Sequence, residues 1–174
     1  MHVHCTACGA RTEEQMVEGH ARPVCPECGV VAYLDPKLAV AVLIARGGRV
    51  LLGRRGPGTR EPGKWRFPAG FVERGERVEA AAAREAREET GLEAEIGDLL
   101  GLFSSEGETV VLAVYAATAD GEPHAGDDLV DVGWFSPREL PELAFPRDLQ
   151  IVRAWFGPDG EGVSANRGEP TATG

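Results

Sequence analysis

The strongest hydrophobic signal in the chain is Leu38-Ala39-Val40-Ala41-Val42-Leu43-Ile44-Ala45, its longest purely apolar run. The run is short, β-rich and preceded by the boundary-forming Pro36, and it reads as a buried strand. Arg46-Gly47-Gly48-Arg49 reads as a turn and Val50 to Arg55 as a second strand. Residues 56–70 carry four Gly and three Pro and read as loop. Glu76 to Thr90, rich in Ala, Glu and Arg, predicts a helix that stops at Gly91, where a C-terminus favours glycine. Val110 to Ala117 and Val130 to Phe135 predict two further strands, whereas Glu139 to Leu143 and Arg147 to Phe156 look helical. From residue 157 onward the Gly-, Pro-, Ser-, Asn- and Glu-rich chain offers little to bury and is expected to be a disordered tail. Strands with helices before and after them predict an α/β or α+β sandwich. No internal repeat is visible.

The 32 residues at the N-terminus are too few to build a core, but they hold all four cysteines of the chain. These form two pairs, Cys5-Thr6-Ala7-Cys8-Gly9 and Cys25-Pro26-Glu27-Cys28-Gly29. A two-residue gap lets both sulfurs of a tight turn face one ion, and the following Gly can take the positive φ that folds the backbone over them. Two disulfides would need an oxidising compartment, and a redox pair would need a βαβ setting. The spacing therefore predicts a Zn²⁺ site of Cys5, Cys8, Cys25 and Cys28, structural because four thiolates leave no open position. His2, His4 and His20 are expected to be solvated bystanders. The segment resembles zinc ribbons, so the expected organisation is a ribbon over 1–32, a main domain over 33–156 and the tail over 157–174.

The 174 residues carry a formal charge of −10. That balance argues against general nucleic-acid coating, which needs a cationic surface. An eight-residue apolar run is far short of the roughly 18 residues of a membrane-spanning helix. The opening Met1-His2-Val3-His4 lacks a basic region followed by an apolar one, so the expected location is cytoplasmic. The acidity is uneven: residues 1–69 hold 10 Lys+Arg against 6 Asp+Glu, and residues 93–174 hold 4 against 16.

The chemistry concentrates in Gly70 to Leu92, GFVERGERVEAAAAREAREETGL. Glu85, Glu88 and Glu89 are spaced i, i+3, i+4, so a helix projects them onto one patch. Taken alone, the pattern also suits a solvated helix laced with Glu–Arg pairs. Carboxylates gathered without thiol or imidazole favour hard ions such as Mg²⁺ or Mn²⁺, which complete their shells with water and substrate phosphate. Arg84 and Arg87 are placed to pair with the glutamates.

The same stretch matches the Nudix box, G-x5-E-x7-R-E-U-x-E-E-x-G-U with U aliphatic. Gly70, Glu76, Arg84, Glu85, Glu88, Glu89, Gly91 and Leu92 fall in register, and Ala86 is smaller than the usual aliphatic residue. The chain resembles Nudix hydrolases over about residues 38–156, including Arg55 at the end of its strand, Gly63-Lys64-Trp65, Phe67-Pro68-Ala69-Gly70 and Trp134-Phe135-Ser136. The resemblance implies an α/β/α sandwich around a mixed sheet and Mg²⁺- or Mn²⁺-dependent cleavage of a nucleoside diphosphate linked to another moiety. It implies Glu85 and Glu89 as metal ligands, Glu88 as a ligand or its support, and the carbonyl of Ala69 or Gly70 completing the site. Arg84 would orient a glutamate. Glu85 is the first choice of base for in-line attack of water, with Glu106, Glu108, Asp127 and Asp128 as loop alternatives.

Among the basic residues before the box, Arg55 is expected to meet phosphate. Arg54, Arg60, Lys64 and Arg66 are expected on the surface. Phe103 and Phe145, in loop-like context, are the expected stacking partners of a base or flavin, while Trp65, Tyr115 and Trp134 are expected in the core. A ribbon followed by Tyr33-Leu34-Asp35-Pro36-Lys37 looks like FAD/ADP-ribose pyrophosphatases of this family. The signature of NADH pyrophosphatases is missing from Glu93 to Val110, and Glu106 stands where the ADP-ribose type has proline. FAD, ADP-ribose and NAD(H) all remain expected substrates, with removal of an RNA 5′ cap or NAD cap as an alternative. A ligand-sensing or nucleic-acid-binding regulator is the reading from another class, weakened by the complete set of box glutamates. Many members of the family dimerise, so a homodimer is among the expected states.

Overall fold

The structure, a computed structural model, describes residues 3–157, and the chain divides into two compact units at Pro36/Lys37. His2 and the expected tail beyond Gly157 lie outside the described residues.

The first unit is a hairpin of β1 (Glu13–Val17) and β2 (His20–Val24), paired antiparallel with Val17 opposite His20. From the sequence a ribbon is expected here, with its strands unplaced. Nine hairpin positions are exposed or half-buried and one, Val24, is buried, so no apolar alternation marks the strands.

The second unit contains β3 (Lys37–Arg46), β4 (Arg49–Arg55), β5 (Trp65–Arg66), β6 (Ala69–Phe71), α1 (Val78–Thr90), β7 (Ala94–Phe103), β8 (Val110–Ala119), β9 (Leu129–Phe135) and α2 (Pro146–Phe156). β3 lies parallel to β8 and antiparallel to β6, and β7 runs antiparallel to β8 along the far edge. β4 pairs antiparallel with β9 and β5. β3 and β4 share only the two residue pairs next to their turn, Ala45 with Val50 and Arg46 with Arg49. Beyond them β3 is joined by β6 instead, through Ala39–Phe71, Val40–Gly70 and Ala41–Ala69. The sheet thus splits where the glycine-rich segment enters.

The continuous apolar run of β3 follows from burial on both faces. Val40, Val42 and Ile44 join Ala81, Ala82 and Ala86 of α1 in one core, while Ala39, Ala41 and Leu43 join Ile151, Val152 and Phe156 of α2 in the other. The architecture is a mixed sheet between helices, in the three layers expected.

Three local expectations are corrected. Glu139 to Leu143 is not helical: Leu143 forms a parallel bridge with Trp65, and the Trp65 and Ala144 N–H groups bond to the Glu142 and Trp65 carbonyls at 2.9 and 2.7 Å. Those tertiary bonds outweigh a weak local helical tendency. Phe103 ends β7, a strand with no assigned sequence signal, instead of lying in a loop. Register shifts at Ile96/Leu99 and Leu99/Gly101 break the alternation that would have revealed β7. The helix begins at Val78, two residues later than Glu76, because Glu76 lies in the preceding turn and uses its carboxylate there.

Candidate metal centre and active site

In the first unit the two Cys pairs build matched turns. Gly9 N–H bonds to the Cys5 carbonyl and Gly29 N–H to the Cys25 carbonyl, both at 2.9 Å, with φ of 76° and 74° at the glycines. The Sγ atoms of Cys5 and Cys28, and of Cys8 and Cys25, are 3.5 Å apart, and those of Cys8 and Cys28 are 3.7 Å apart. No disulfide joins them. A tetrahedral ion with bonds of about 2.3 Å to sulfur places its ligands about 3.8 Å apart. The four thiols are therefore grouped as a closed set of four sulfurs that could hold a metal ion. Backbone N–H groups of Cys8 and Ala7 pull the Cys5 thiol down to about 6, which favours the thiolate that a metal requires. His4 and His20 are exposed.

The glutamates of α1 are held by two arginines in different ways. Arg84 is the hub of the accessible part. Its Nε and Nη2 donate to the two Glu76 oxygens at 2.9 Å, and Nη2 also donates to the Phe71 carbonyl at 3.0 Å. Its Nη1 donates to Glu85 at 2.7 Å and Glu88 at 3.0 Å. Two carboxylates of the motif thus converge on a single nitrogen. Glu76 also accepts the Glu73 N–H at 3.0 Å, and the Arg84 and Glu73 bonds together hold its carboxyl down at about 2.

Glu89 lies deeper, 2% exposed, and binds Arg66, itself 5% exposed, through both carboxylate oxygens at 3.0 and 2.5 Å. The Ala69 N–H donates to the same carboxylate at 2.9 Å. Arg66 Nη1 also donates to the carbonyls of Phe67 and Ala69 at 2.8 and 3.1 Å. Arg66 is therefore the buried counter-charge of the motif, not the surface residue expected. The sequence does hold a clue, since Arg66 stands between Trp65 and Phe67, in a strand that has to pack.

Burial raises the Glu85 and Glu89 carboxyls above their ordinary value, with Arg84 and Arg66 respectively opposing the rise. Glu85 is 7% exposed. Gly70 explains how its carboxylate fits, because a Cβ there would lie 2.1 Å from the carboxyl group. β6 passes directly over Glu85 on a residue with no side chain. Oxygen donors at this cradle suit a hard cation. The Ala69 carbonyl already accepts from Arg66 and retains a second lone pair.

The loop acids are spread out. Glu106 and Glu108 are exposed, with Glu108 facing Arg60 at 3.8 Å. Asp127 and Asp128 follow a loop whose His124 and Gly126 N–H groups bond to the Thr90 and Glu89 carbonyls at 2.9 and 3.0 Å. That loop sits on the C-terminus of α1, where Gly91 takes φ 69°. Arg55 lies beside Phe145, its guanidinium carbon 5.6 Å from the ring centroid. Phe103 is half-buried and packs on the α2-side core. Tyr115 is buried, while Trp65 and Trp134 are half-buried against the two cores. One group escaped the sequence reading altogether. Asp148, in the first turn of α2, is 2% exposed, and burial pushes its carboxyl up to about 7 against the pull of Arg147, Arg66 and Arg55. Helical spacing places it on the face of Ile151, Val152 and Phe156, which was the signal available.

No described helix is long and apolar enough to cross a membrane. A NUDIX domain model matches residues 35–156. The chain is 37% identical over 124 residues to the ADP-ribose pyrophosphatase of Methanocaldococcus jannaschii, covering 68% of this chain and 73% of that protein. It is 36% identical over 149 residues to the NAD-capped RNA hydrolase NudC of Pseudomonas aeruginosa, covering 83% of this chain and 51% of the relative. The chain thus spans about half the length of that relative. The crystal structure of a NUDIX hydrolase from Nitrosomonas europaea superposes with a TM-score of 0.81 at 29% identity, covering 87% of this chain and 89% of that one.

Proposed function

The chain belongs to the NUDIX hydrolase family, and from that membership we propose that it is a Mg²⁺- or Mn²⁺-dependent pyrophosphohydrolase of a dinucleotide or nucleotide sugar such as ADP-ribose, FAD or NAD(H). The observation that carries this reading is the convergence of Glu85 and Glu88 on Arg84 under the side-chain-free Gly70. Glu85, Glu88 and Glu89, with the carbonyl of Ala69 or Gly70, would hold the ion. When bound, it would neutralise pyrophosphate charge and acidify a water near phosphorus.

The chain's own residues divide the remaining work. Arg84 fixes Glu85 and Glu88, and Glu76 in turn fixes Arg84. Arg66 fixes Glu89. Glu85 is the proposed base, its carboxylate fixed by Arg84 beneath Gly70. Asp127 and Asp128, carried at the end of α1, are the alternatives. Arg55 is the proposed phosphate contact, and Phe145 and Phe103 the aromatic contacts. The four-cysteine cluster is proposed to hold structural Zn²⁺, which goes with a cytoplasmic setting where thiols stay reduced.

The test is a panel of ADP-ribose, FAD, NADH and coenzyme A with Mg²⁺ and Mn²⁺, read as phosphate released after phosphatase treatment. At least one dinucleotide should be cleaved at its pyrophosphate only when the ion is present. Silence across the panel in both ions would contradict the reading. Similarity to NudC supports a second substrate, NAD-capped RNA. Competition between capped RNA and free NAD separates the two, and equal use or preference for the free nucleotide would count against an RNA role.

A further inference from the structure

Beside the carboxylate helix, the start of α2 and the end of β4 bring together two guanidinium groups that the motif does not include. Arg147 lies over the Phe145 ring with its guanidinium carbon 4.7 Å from the centroid, and Arg55 lies against the same ring at 5.6 Å. The pair is fixed from behind. Residues 142–144 are bonded to Trp65, the neighbour of Arg66 on β5, and the Arg55 N–H bonds to the Lys64 carbonyl at 2.9 Å. The ring, the two arginines and the Arg66–Glu89 pair therefore belong to one corner of the second unit.

Charge balance in this corner is incomplete. Arg55 donates its Nε to the Arg60 carbonyl and forms no ion pair among the described residues. Arg147 has one carboxylate near it, Asp148, with Nε to Oδ1 at 3.9 Å, too long for a hydrogen bond. The Arg147 Nε is buried and has no hydrogen-bond partner. Acids that act on Arg55 at longer range are Asp128, Glu89 and Glu61, together with the buried Asp148, which Arg55 shares with Arg66 and Arg147, and Glu89 is already bound to Arg66. Two like charges sharing one ring repel, and the ring's negative face offsets only part of that. An anion lying between them would satisfy both, and a guanidinium fork suits phosphoryl oxygens in particular.

We propose that Arg147 and Arg55, ordered on Phe145, form a second anion site that holds the phosphoryl group of the substrate farther from the carboxylate helix. Arg147 is the residue this adds to the site, and it is a specificity-determining contact. Phe145 serves as the platform of the two arginines. The proposal rests on the pyrophosphohydrolase reading for the identity of its ligand, but the anion site is separable from hydrolysis.

The experiment uses the full chain and inorganic pyrophosphate as probe, with EDTA to remove divalent ions, read by titration calorimetry at low salt. Wild type and Asp98→Asn, a change at an exposed position of β7, should bind alike, whereas Arg147→Gln and Arg55→Gln should each weaken binding about tenfold or more, and Arg147→Lys should recover part of the loss. On any nucleotide substrate that is cleaved, Arg147→Gln should raise KM by about tenfold while kcat changes less than about twofold. Pyrophosphate affinity in Arg147→Gln equal to wild type, with the variant folded by circular dichroism, would overturn the proposal. So would full recovery by Arg147→Ala, which retains no charge. Metal-free binding that depends on Arg147 without cleavage of any nucleotide would sustain the anion site and remove the hydrolase reading. Cleavage with an unaltered KM would do the reverse.

Discussion

The cysteine cluster and the glutamate cluster of this chain are built on opposite principles. In the cysteine cluster every ligand comes from a four-residue turn, the two turns repeat the same backbone bonds, and four sulfurs close the coordination sphere. In the glutamate cluster the carboxylates come from successive turns of one helix, and arginines hold them in place. With an ion bound, the first would have its coordination closed by protein sulfur and would hold the fold together. The second, as proposed, would complete its coordination with water and phosphate. Within the second cluster the contrast recurs: Arg66 and Glu89 are buried together, while Arg84 is shared among three acids at a partly exposed surface.

Breaking the closed cluster should have the largest effect. Cys25→Ser removes a buried ligand from a unit with almost no core, so residues 3–36 are expected to lose amide protection in hydrogen exchange. Bound zinc by elemental analysis should fall from about one per chain to near zero. Retention of zinc and protection would show that three sulfurs suffice.

Breaking the buried half of the open cluster comes next. Arg66→Met leaves Glu89 ionised and unpaired in the interior, which costs about 3–5 kcal/mol. That corresponds to a fall in Tm on the order of 10 °C for a domain of this size. The loss should shrink as pH is lowered, because protonation relieves the unpaired carboxylate. Arg84→Met, of whose three carboxylate partners only Glu85 is buried, should cost less than Arg66→Met while lowering turnover more severely. Equal Tm losses for the two variants would erase the contrast between them.

A smaller effect is expected at Asp148. Its carboxyl is held at about 7, well above an unfolded aspartate near 3.8. The contribution to stability is therefore complete below about pH 4, declines as pH rises through about 7 and then stays flat. Asp148→Asn should flatten that slope, by a few kcal/mol at most, in denaturation midpoints measured from pH 5 to 8. An unchanged slope would assign the pH dependence to other groups.

How much of this was legible in the sequence depends on how local each feature is. The grouping of the four cysteines could be read, because spacing and residue type specify both turns. The glutamates could be placed on one helix face by register, and Gly70 by the motif. Arg66 could not be matched to Glu89, because the partners are 23 residues apart and meet only when β6 inserts beside β3. Asp148 was hidden by a prior that acids face solvent, although Ile151, Val152 and Phe156 mark its face as buried. β7 was invisible because its two irregularities and its exposed edge disrupt period-two alternation.

The most direct test of the central claim is the turnover of Glu88→Gln on the best nucleotide substrate at saturating Mg²⁺, measured beside its denaturation midpoint. Glu88 is 43% exposed at its side chain and, among the described residues, is bound through the shared Arg84 nitrogen. The expected outcome is a loss of kcat on the order of a hundredfold or more with a Tm within about 2 °C of wild type. Turnover within about threefold of wild type, at the same Tm, would contradict a metal-dependent hydrolytic centre on this helix.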